Sequence, residues 1–291
     1  MKNPVMTASG TFGCGREYAG FFDLARLGAL VVKSLTLKER AGNPMPRICE
    51  TPSGILNSIG LQNKGIDKFL AEDLPYLGEF DVPVIANVAG ESIEEYSQVC
   101  RRLDAESGIA AIELNISCPN VKKGCMLFGQ EAEAAAAVVQ ECRASTSKPL
   151  IVKLTPNVTD IGSIAKSVEQ AGADAISLIN TIMGMSIDID TFKPLLATPT
   201  GGLSGPAVRP VAVRMVWEVA NAVKIPVIGM GGIVNAQDAI EFLLVGATAV
   251  AVGTANFMEP TSAVKIIEDL NAYLAKRGCN SIKEIIGQAQ V

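Results

Sequence analysis

Short apolar runs alternate with longer amphipathic stretches along the whole chain, and this alternation limits the possible folds more than any other feature. The apolar runs are residues 4–8, 29–32, 83–88, 110–114, 150–154, 175–179, 226–229 and 249–252. Helical patterns occupy residues 93–103, 131–144, 160–171, 210–223, 236–244 and 262–274. Apolar strands that alternate with helices are typical of a parallel sheet covered on both faces. We therefore predict a single α/β domain over residues 1–291, built as a (β/α)8 TIM barrel, with a doubly wound open sheet as the alternative.

The composition excludes several classes of protein. Apolar residues make up 48% of the chain and charged residues 19%, so the chain can bury a large core and is not disordered. The most apolar stretch, residues 242–252, is shorter than the roughly 18–20 residues that a bilayer requires. The N-terminus lacks the apolar segment of a secretory signal, and the net charge of −5 disfavours nucleic acid as a partner. We expect a cytoplasmic protein that binds neither membrane nor nucleic acid.

Histidine is absent and cysteine occurs seven times. The absence of histidine excludes Ser-His-Asp triads and most zinc hydrolases, so any proton transfer must use Cys, Lys, Asp, Glu, Tyr or Ser/Thr. The cysteines form no CxxC pair, and an odd number of them without a secretion signal indicates reduced thiols. We expect no zinc or iron–sulfur site and no other metal in this chain.

Polar residues and glycines stand at the ends of the predicted strands. They are Ser9, Lys33, Asn87, Asn115, Lys153, Asn180, Gly231, Gly232, Gly253 and Thr254. The carboxyl ends of barrel strands meet at one face, where active sites form, so we expect these groups to converge. Two insertions, residues 34–63 and 181–205, are too long for simple connections and are predicted to form lids and pockets at the C-terminal face.

The last two strand–helix turns, GMGGI and VGTAN, predict a phosphate site, because glycines let backbone N–H groups approach a phosphate closely. Left-handed turns alone would also require these glycines. The nearest match to a dinucleotide fingerprint, GCGREY, lacks a third glycine. A mononucleotide such as FMN fits a barrel mouth better, and Lys153 is placed to stabilise negative charge on a reduced flavin. The alternative for Lys153 is a side chain that simply reaches solvent.

The segment ELNISCPNVKKGCMLFG is the strongest local pattern. Asn115 ends the fourth strand, and Cys118 follows it in a loop. A thiol acts as a general base only near its pKa of about 8.5, or where cations lower that pKa. Most cysteines are simply small buried apolar residues, but in a chain without histidine Cys118 is a candidate base. Cys125 is the second candidate, since it lies farther from the strand end.

Together, the motifs resemble those of class 1 dihydroorotate dehydrogenases, specifically the class 1B catalytic subunit. They extend over almost the whole chain and are TASGTFG, VVKSLT, GNPMPR, SGILNSIGLQN, IANVAG, ELNISCPN, VKLTPNVTDI, LINTIMG, GGLSGPAVRPVA, IGMGGI and VGTANF. The resemblance implies a barrel with one FMN per chain that oxidises (S)-dihydroorotate to orotate in pyrimidine biosynthesis. Cys118 matches the base that removes the proton from carbon 5, while a hydride leaves carbon 6 for the flavin.

The resemblance also implies the binding residues. Those that match flavin contacts are Ser9, Lys33, Ser34, Asn87, Asn115, Lys153, Ile179, Gly205, Gly231, Gly232, Gly253 and Thr254. Those that match substrate contacts are Lys33, Asn57, Ser58, Ile59, Gly60, Leu61, Asn115, Asn180 and Thr181. Orotate is a planar anion, so a lysine and several amides suit its carboxylate and ring edges.

In class 1B, electrons pass to NAD⁺ through a separate subunit that carries FAD and a [2Fe–2S] cluster. The resemblance therefore implies such a partner and a homodimer within a heterotetramer. The lack of a dinucleotide fingerprint and of clustered cysteines in this chain agrees with that division of labour.

Two enzymatic alternatives stay open at this stage, a related FMN barrel that acts on another dihydropyrimidine and a class 1A enzyme linked to fumarate. The acidic net charge disfavours an RNA-modifying dihydrouridine synthase, and the presence of Cys118 disfavours a non-catalytic assembly subunit. The chain departs from the family pattern at Gly124-Cys125, where Gly-Gly is common. Family members also usually begin before KNPV, and we expect this difference to affect stability rather than chemistry.

Overall fold

The structure is a computed structural model that describes residues 1–116 and 128–290. The strands within these ranges are β1 Val5–Thr7, β2 Leu30–Val31, β3 Ile48–Thr51, β4 Gly54–Asn57, β5 Val84–Val88, β6 Ala111–Asn115, β7 Leu150–Lys153, β8 Ala175–Leu178, β9 Ile182–Gly184, β10 Ile187–Asp188, β11 Lys193–Pro194, β12 Gly201–Ser204, β13 Val227–Met230 and β14 Ala249–Val252. The α-helices are α1 Gly65–Lys68, α2 Leu74–Leu77, α3 Ile93–Asp104, α4 Ala132–Ser145, α5 Ile161–Gln170, α6 Arg209–Ala222, α7 Ala236–Leu244, α8 Ala255–Met258 and α9 Ser262–Arg277.

Eight of these strands form a parallel barrel, so the predicted fold is confirmed and the open sheet was the wrong alternative. The strand order is β1-β14-β13-β8-β7-β6-β5-β2. The ring closes between β1 and β2, where Met6 and Ala29 form an isolated parallel bridge. At this point the Thr7 N–H donates to the Ala29 carbonyl oxygen at 3.3 Å.

The barrel strands contribute to two apolar cores. Val84, Ala86 and Val88 of β5 face the surrounding helices, whereas Ile85 faces the barrel interior. Successive side chains of a strand point to opposite faces, so one continuous apolar run supplies both cores. This is why the barrel strands read as unbroken apolar segments rather than as alternating ones.

The six predicted helices are present as α3 to α7 and α9, with ends that differ by at most a few residues. The largest difference is at α9, which continues to Arg277 and ends at Gly278 in the left-handed conformation (φ 71°). The first two barrel strands are followed by short helical turns rather than by a long helix. A 3-10 turn at Leu24–Arg26 follows β1, and α1 and α2 after β2 are joined by a π-helical turn at Phe69–Asp73.

The two long insertions build a second sheet across the barrel mouth. In this sheet β3 pairs with β4, β4 with β12 and β12 with β9, all antiparallel. The first insertion contributes β3 and β4, and the second contributes β9 and β12. The insertions therefore fold as one unit.

Across the part of the chain that the structure describes, no helix is long and apolar enough to span a bilayer.

Candidate active site

A cavity of about 450 Å³ lies between the carboxyl ends of the barrel strands and the sheet formed by the two insertions. Apolar side chains of that sheet, such as Ile55 and Leu203, contribute to its wall. Most residues named from the sequence also line it, namely Ser9, Lys33, Ser34, Asn57, Ile59, Gly60, Leu61, Asn115, Lys153, Ile179, Asn180, Thr181, Gly205, Gly231, Gly232, Gly253 and Thr254. One cavity thus contains members of both predicted binding sets.

Two of the named residues that the structure describes are not part of that lining. Asn87 is fully buried, and its side-chain amide donates to Glu113 rather than facing the cavity. Ser58 is also buried, and its hydroxyl has no partner among residues 1–116 and 128–290. Cys118, together with its competitor Cys125, lies outside the described residues. The roles of these residues stay predictions.

Asn115 connects three strand ends at the base of the cavity. Its Nδ2 donates to the Ser34 hydroxyl at 3.5 Å, and its Oδ1 accepts from Asn180 Nδ2 at 3.4 Å. Its backbone carbonyl accepts from the hydroxyl of Tyr96, a buried residue of α3, at 2.7 Å. The amide is therefore fixed from several sides, which fits a group that orients a ligand rather than one that moves.

The glycine turns bring their backbones close together on one side of the cavity. Gly205, Gly231 and Gly232 have positive φ angles of 102°, 129° and 76°. A Cβ atom on Gly232 would lie 2.9 Å from the carbonyl oxygen of Gly205, so only glycine fits there. Next to them, the Thr254 hydroxyl donates to Ser204 Oγ at 2.8 Å. Such a cradle of backbone and hydroxyl groups suits an anion such as a phosphate.

The cavity also carries a buried cation. Lys153 is 5% exposed, and its ammonium lines the cavity without a hydrogen bond or ion pair to residues 1–116 or 128–290. The Ser9 hydroxyl is likewise buried without a partner within these ranges. Buried polar groups are almost always satisfied, so both groups indicate a polar ligand.

None of the five described cysteines lines the cavity. Burial, aided by the Asp73 carboxylate, raises the pKa of the Cys14 thiol to about 12. A hydrogen bond from Cys100 and burial raise the pKa of Cys142 as well. The raised pKa values keep the Cys14 and Cys142 thiols protonated at neutral pH, and since none of the five described cysteines lines the cavity, Cys118 and Cys125 stay the candidates for the base.

Asn157 is a site residue that sequence reasoning missed. It lines the cavity, donates from Nδ2 to the Thr181 carbonyl at 3.0 Å and accepts from the Met183 N–H at 2.9 Å. It thereby ties the loop after β7 to the second insertion. The sequence could have indicated this residue, because Asn157 belongs to the VKLTPNVTDI motif. It directly follows Pro156 and lies four residues after Lys153.

Comparison with known proteins agrees with this geometry. The family model described as "Dihydroorotate dehydrogenase" matches residues 1–274. The chain belongs to the dihydroorotate dehydrogenase family. A Geobacter sp. (strain M21) relative is 56% identical over 291 residues, which is 100% of this chain and 95% of the relative. A Bacteroides thetaiotaomicron relative is 55% identical over 291 residues, 100% of this chain and 96% of the relative. Both dehydrogenases carry the name "Dihydroorotate dehydrogenase B (NAD(+)), catalytic subunit".

Proposed function

We propose that this chain oxidises (S)-dihydroorotate to orotate with bound FMN, as the catalytic subunit of an NAD⁺-linked dihydroorotate dehydrogenase. The observation that carries the proposal is the single cavity in which a glycine cradle, a buried ammonium and a group of amides meet. The close relatives named above support the NAD⁺-linked subclass over a class 1A enzyme or another dihydropyrimidine substrate.

The described residues fit FMN. The phosphate would be held by the backbone around Gly231, Gly232 and Gly253, where an added Cβ at Gly232 would meet another backbone. The ring would lie toward Lys153, whose ammonium is unpartnered within residues 1–116 and 128–290. When bound, FMN would supply the acceptor for the hydride. A fixed cation in a water-poor site favours the reduced form of the flavin.

The substrate fits the amide-rich part of the cavity. Asn57, Asn115 and Asn180 present side-chain amides, and orotate and dihydroorotate carry a carboxylate, two ring carbonyl groups and two N–H groups. Binding between the barrel and the sheet of the insertions would exclude water from the ring. The proton at carbon 5 would pass to the Cys118 thiolate and the hydride at carbon 6 to the flavin, so the substrate loses one proton and one hydride, together two hydrogens and two electrons.

The electron pair must then leave the chain. We propose that it passes to a separate subunit that carries FAD and a [2Fe–2S] cluster and reduces NAD⁺, in a heterotetramer built on a homodimer of this chain. The sequence supports the division, because it contains no dinucleotide fingerprint and no clustered cysteines. The words "catalytic subunit" in the relatives' names agree with a second subunit.

The test is an acceptor assay on the purified chain. We expect a yellow protein that releases FMN on denaturation and reduces an artificial dye with dihydroorotate, but reduces NAD⁺ poorly until the electron-transfer subunit is added. Formation of NADH is followed at about 340 nm, a wavelength at which NADH absorbs and NAD⁺ does not. Rapid fumarate reduction would move the chain to class 1A, and faster turnover of dihydrouracil than of dihydroorotate would overturn the substrate.

A further inference from the structure

A layer of polar side chains lies inside the barrel at the floor of the cavity, and Lys153 is the member that lines the cavity itself. The interior positions Ile85, Ala111, Ile151 and Ala175 are apolar. Two residues later on the same four strands stand Asn87, Glu113, Lys153 and Ser177, which we call the polar layer. Because side chains alternate along a strand, residues two apart share a face, so the polar layer also points into the barrel. The layer contains one carboxylate and one ammonium.

Glu113 is held by neutral donors. Its Oε2 accepts from Asn87 Nδ2 at 2.5 Å, and its Oε1 accepts from the Ser177 hydroxyl at 2.7 Å. All three side chains are buried, with Glu113 only 2% exposed. Both oxygens therefore act as acceptors, which is the role of a carboxylate. Burying a carboxylate costs free energy that an apolar residue at this position would not, so there must be a reason for a carboxylate here.

Lys153 provides that reason. Its register partners are Asn115 on β6 and Ser177 on β8. Glu113 is paired with Ile151, two residues before Lys153 on the same face of β7, so Glu113 and Lys153 are diagonal neighbours on adjacent strands. Within residues 1–116 and 128–290 the two charges form no ion pair at 4.0 Å or less. The carboxylate oxygens are bonded to Asn87 and Ser177, and Lys153 lines the cavity.

We propose that Glu113 is the buried countercharge of Lys153 and that it lowers the reduction potential of the flavin. The proposal rests on the proposed function, since it concerns FMN in this cavity. Two-electron reduction adds negative charge to the flavin, which Lys153 favours and Glu113 opposes. Charges in a water-poor interior are screened weakly, so both act without touching the ring. A lower potential makes the reduced flavin a better donor to the next electron carrier. Glu113 is thus a positioning residue, which acts on the flavin indirectly by offsetting the charge of Lys153.

The test is the midpoint potential of the FMN-bound full chain in four variants. Glu113→Gln keeps an acceptor for Asn87 but removes the charge, and it should raise the ratio of reduced to oxidised flavin about tenfold at a fixed solution potential, or about 30 mV for a two-electron couple. Lys153→Met should lower that ratio. The double variant should return it to within about threefold of wild type, since it restores the net charge of the polar layer. Ser177→Ala removes one hydrogen bond but no charge, and it should leave the potential unchanged while lowering the melting temperature.

An unchanged potential in Glu113→Gln would overturn the proposal, as would a shift in Ser177→Ala equal to that in Glu113→Gln. If Glu113→Gln does not fold, Lys153→Met and the double variant isolate the same charge. The double variant must then have a higher midpoint potential than Lys153→Met, and equal midpoint potentials in these two variants would overturn the proposal. Failure of the wild-type chain to bind FMN at all would instead defeat the proposed function.

Discussion

Gly202 packs against Thr181 so closely that a Cβ atom built on Gly202 would overlap the Thr181 hydroxyl and side-chain carbon. The contact joins the two ends of the second insertion, because β12 begins at Gly201 and Thr181 immediately precedes β9. Asn57 of the first insertion donates to the Gly202 carbonyl oxygen at 3.3 Å. The geometry of the cavity roof therefore depends on the absence of a side chain at one position.

Gly202→Ala should displace Thr181 and raise the KM for dihydroorotate by about tenfold or more, since small misplacements of positioning groups are costly. The FMN content should stay near wild type, because neither Gly202 nor Thr181 is among the residues predicted to contact the flavin. Steady-state kinetics with a dye acceptor measures this. Gly20→Ala is the matched control, since a Cβ on Gly20 meets nothing within 4 Å. A wild-type KM in Gly202→Ala would exclude a role for this contact in substrate binding.

Gly232→Ala and Gly278→Ala form a matched pair for the phosphate site. Both glycines have left-handed φ angles, 76° and 71°, so both variants should lose roughly 1–2 kcal/mol of stability from backbone strain. Only at Gly232 would the new Cβ also approach a backbone carbonyl, that of Gly205, to 2.9 Å, whereas nothing lies within 4 Å at Gly278. Titration with FMN should show weakened binding in Gly232→Ala alone. Equal FMN affinity in the two variants would contradict the cradle.

Cys118→Ala should keep FMN bound but slow dihydroorotate oxidation by about 10²–10⁴, the usual contribution of a positioned general base. The measurement is the rate of anaerobic flavin bleaching by dihydroorotate. Cys125→Ala is the control within the same segment and should retain most of the activity. Activity of Cys118→Ala within about twofold of wild type would remove the assignment, and a larger loss in Cys125→Ala would transfer the role to that residue.

Asp104 should make stability depend on pH in the acid range. Its carboxylate accepts from Thr146 Oγ1 and from the Ser147 N–H, each at 2.7 Å. These hydrogen bonds lower the pKa of Asp104 to about 2, from an ordinary value of about 3.9. A pKa lowered by folding stabilises the protein above the unfolded value, and this stabilisation is lost as the pH falls toward 2. Asp104→Ala should therefore lower the melting temperature at pH 7, and by less at pH 3. An equal difference at both pH values would contradict the role of the ionised form.

The sequence predicted the barrel because each strand is a continuous apolar run, and such runs occur where both faces of a sheet are buried. It also predicted most of the cavity, since Lys33, Lys153 and Asn180 stand at strand ends that the closed barrel brings together. It did not predict the sheet formed by the two insertions. The pairing of β4 with β12 joins residues far apart in sequence, and short strands with mixed burial have no clear period. Nor did it predict that the Asn87 amide donates to the buried Glu113 carboxylate, because that contact joins side chains of two different strands.

The closure of the barrel at Met6 and Ala29 has a consequence for its dynamics. The other neighbouring strands share ladders of two to four register pairs, whereas β1 and β2 meet at one bridge, with hydrogen bonds beside it from the Gly28 N–H to the Val5 carbonyl and from the Val31 N–H to Thr7 Oγ1. Local opening begins where the fewest hydrogen bonds must break. Amide hydrogens along this seam should therefore exchange with deuterated solvent before those between β6 and β7. The ring would then open between Lys33 and Ser9, two strand ends that line the same cavity, so ligand binding should slow exchange at the seam.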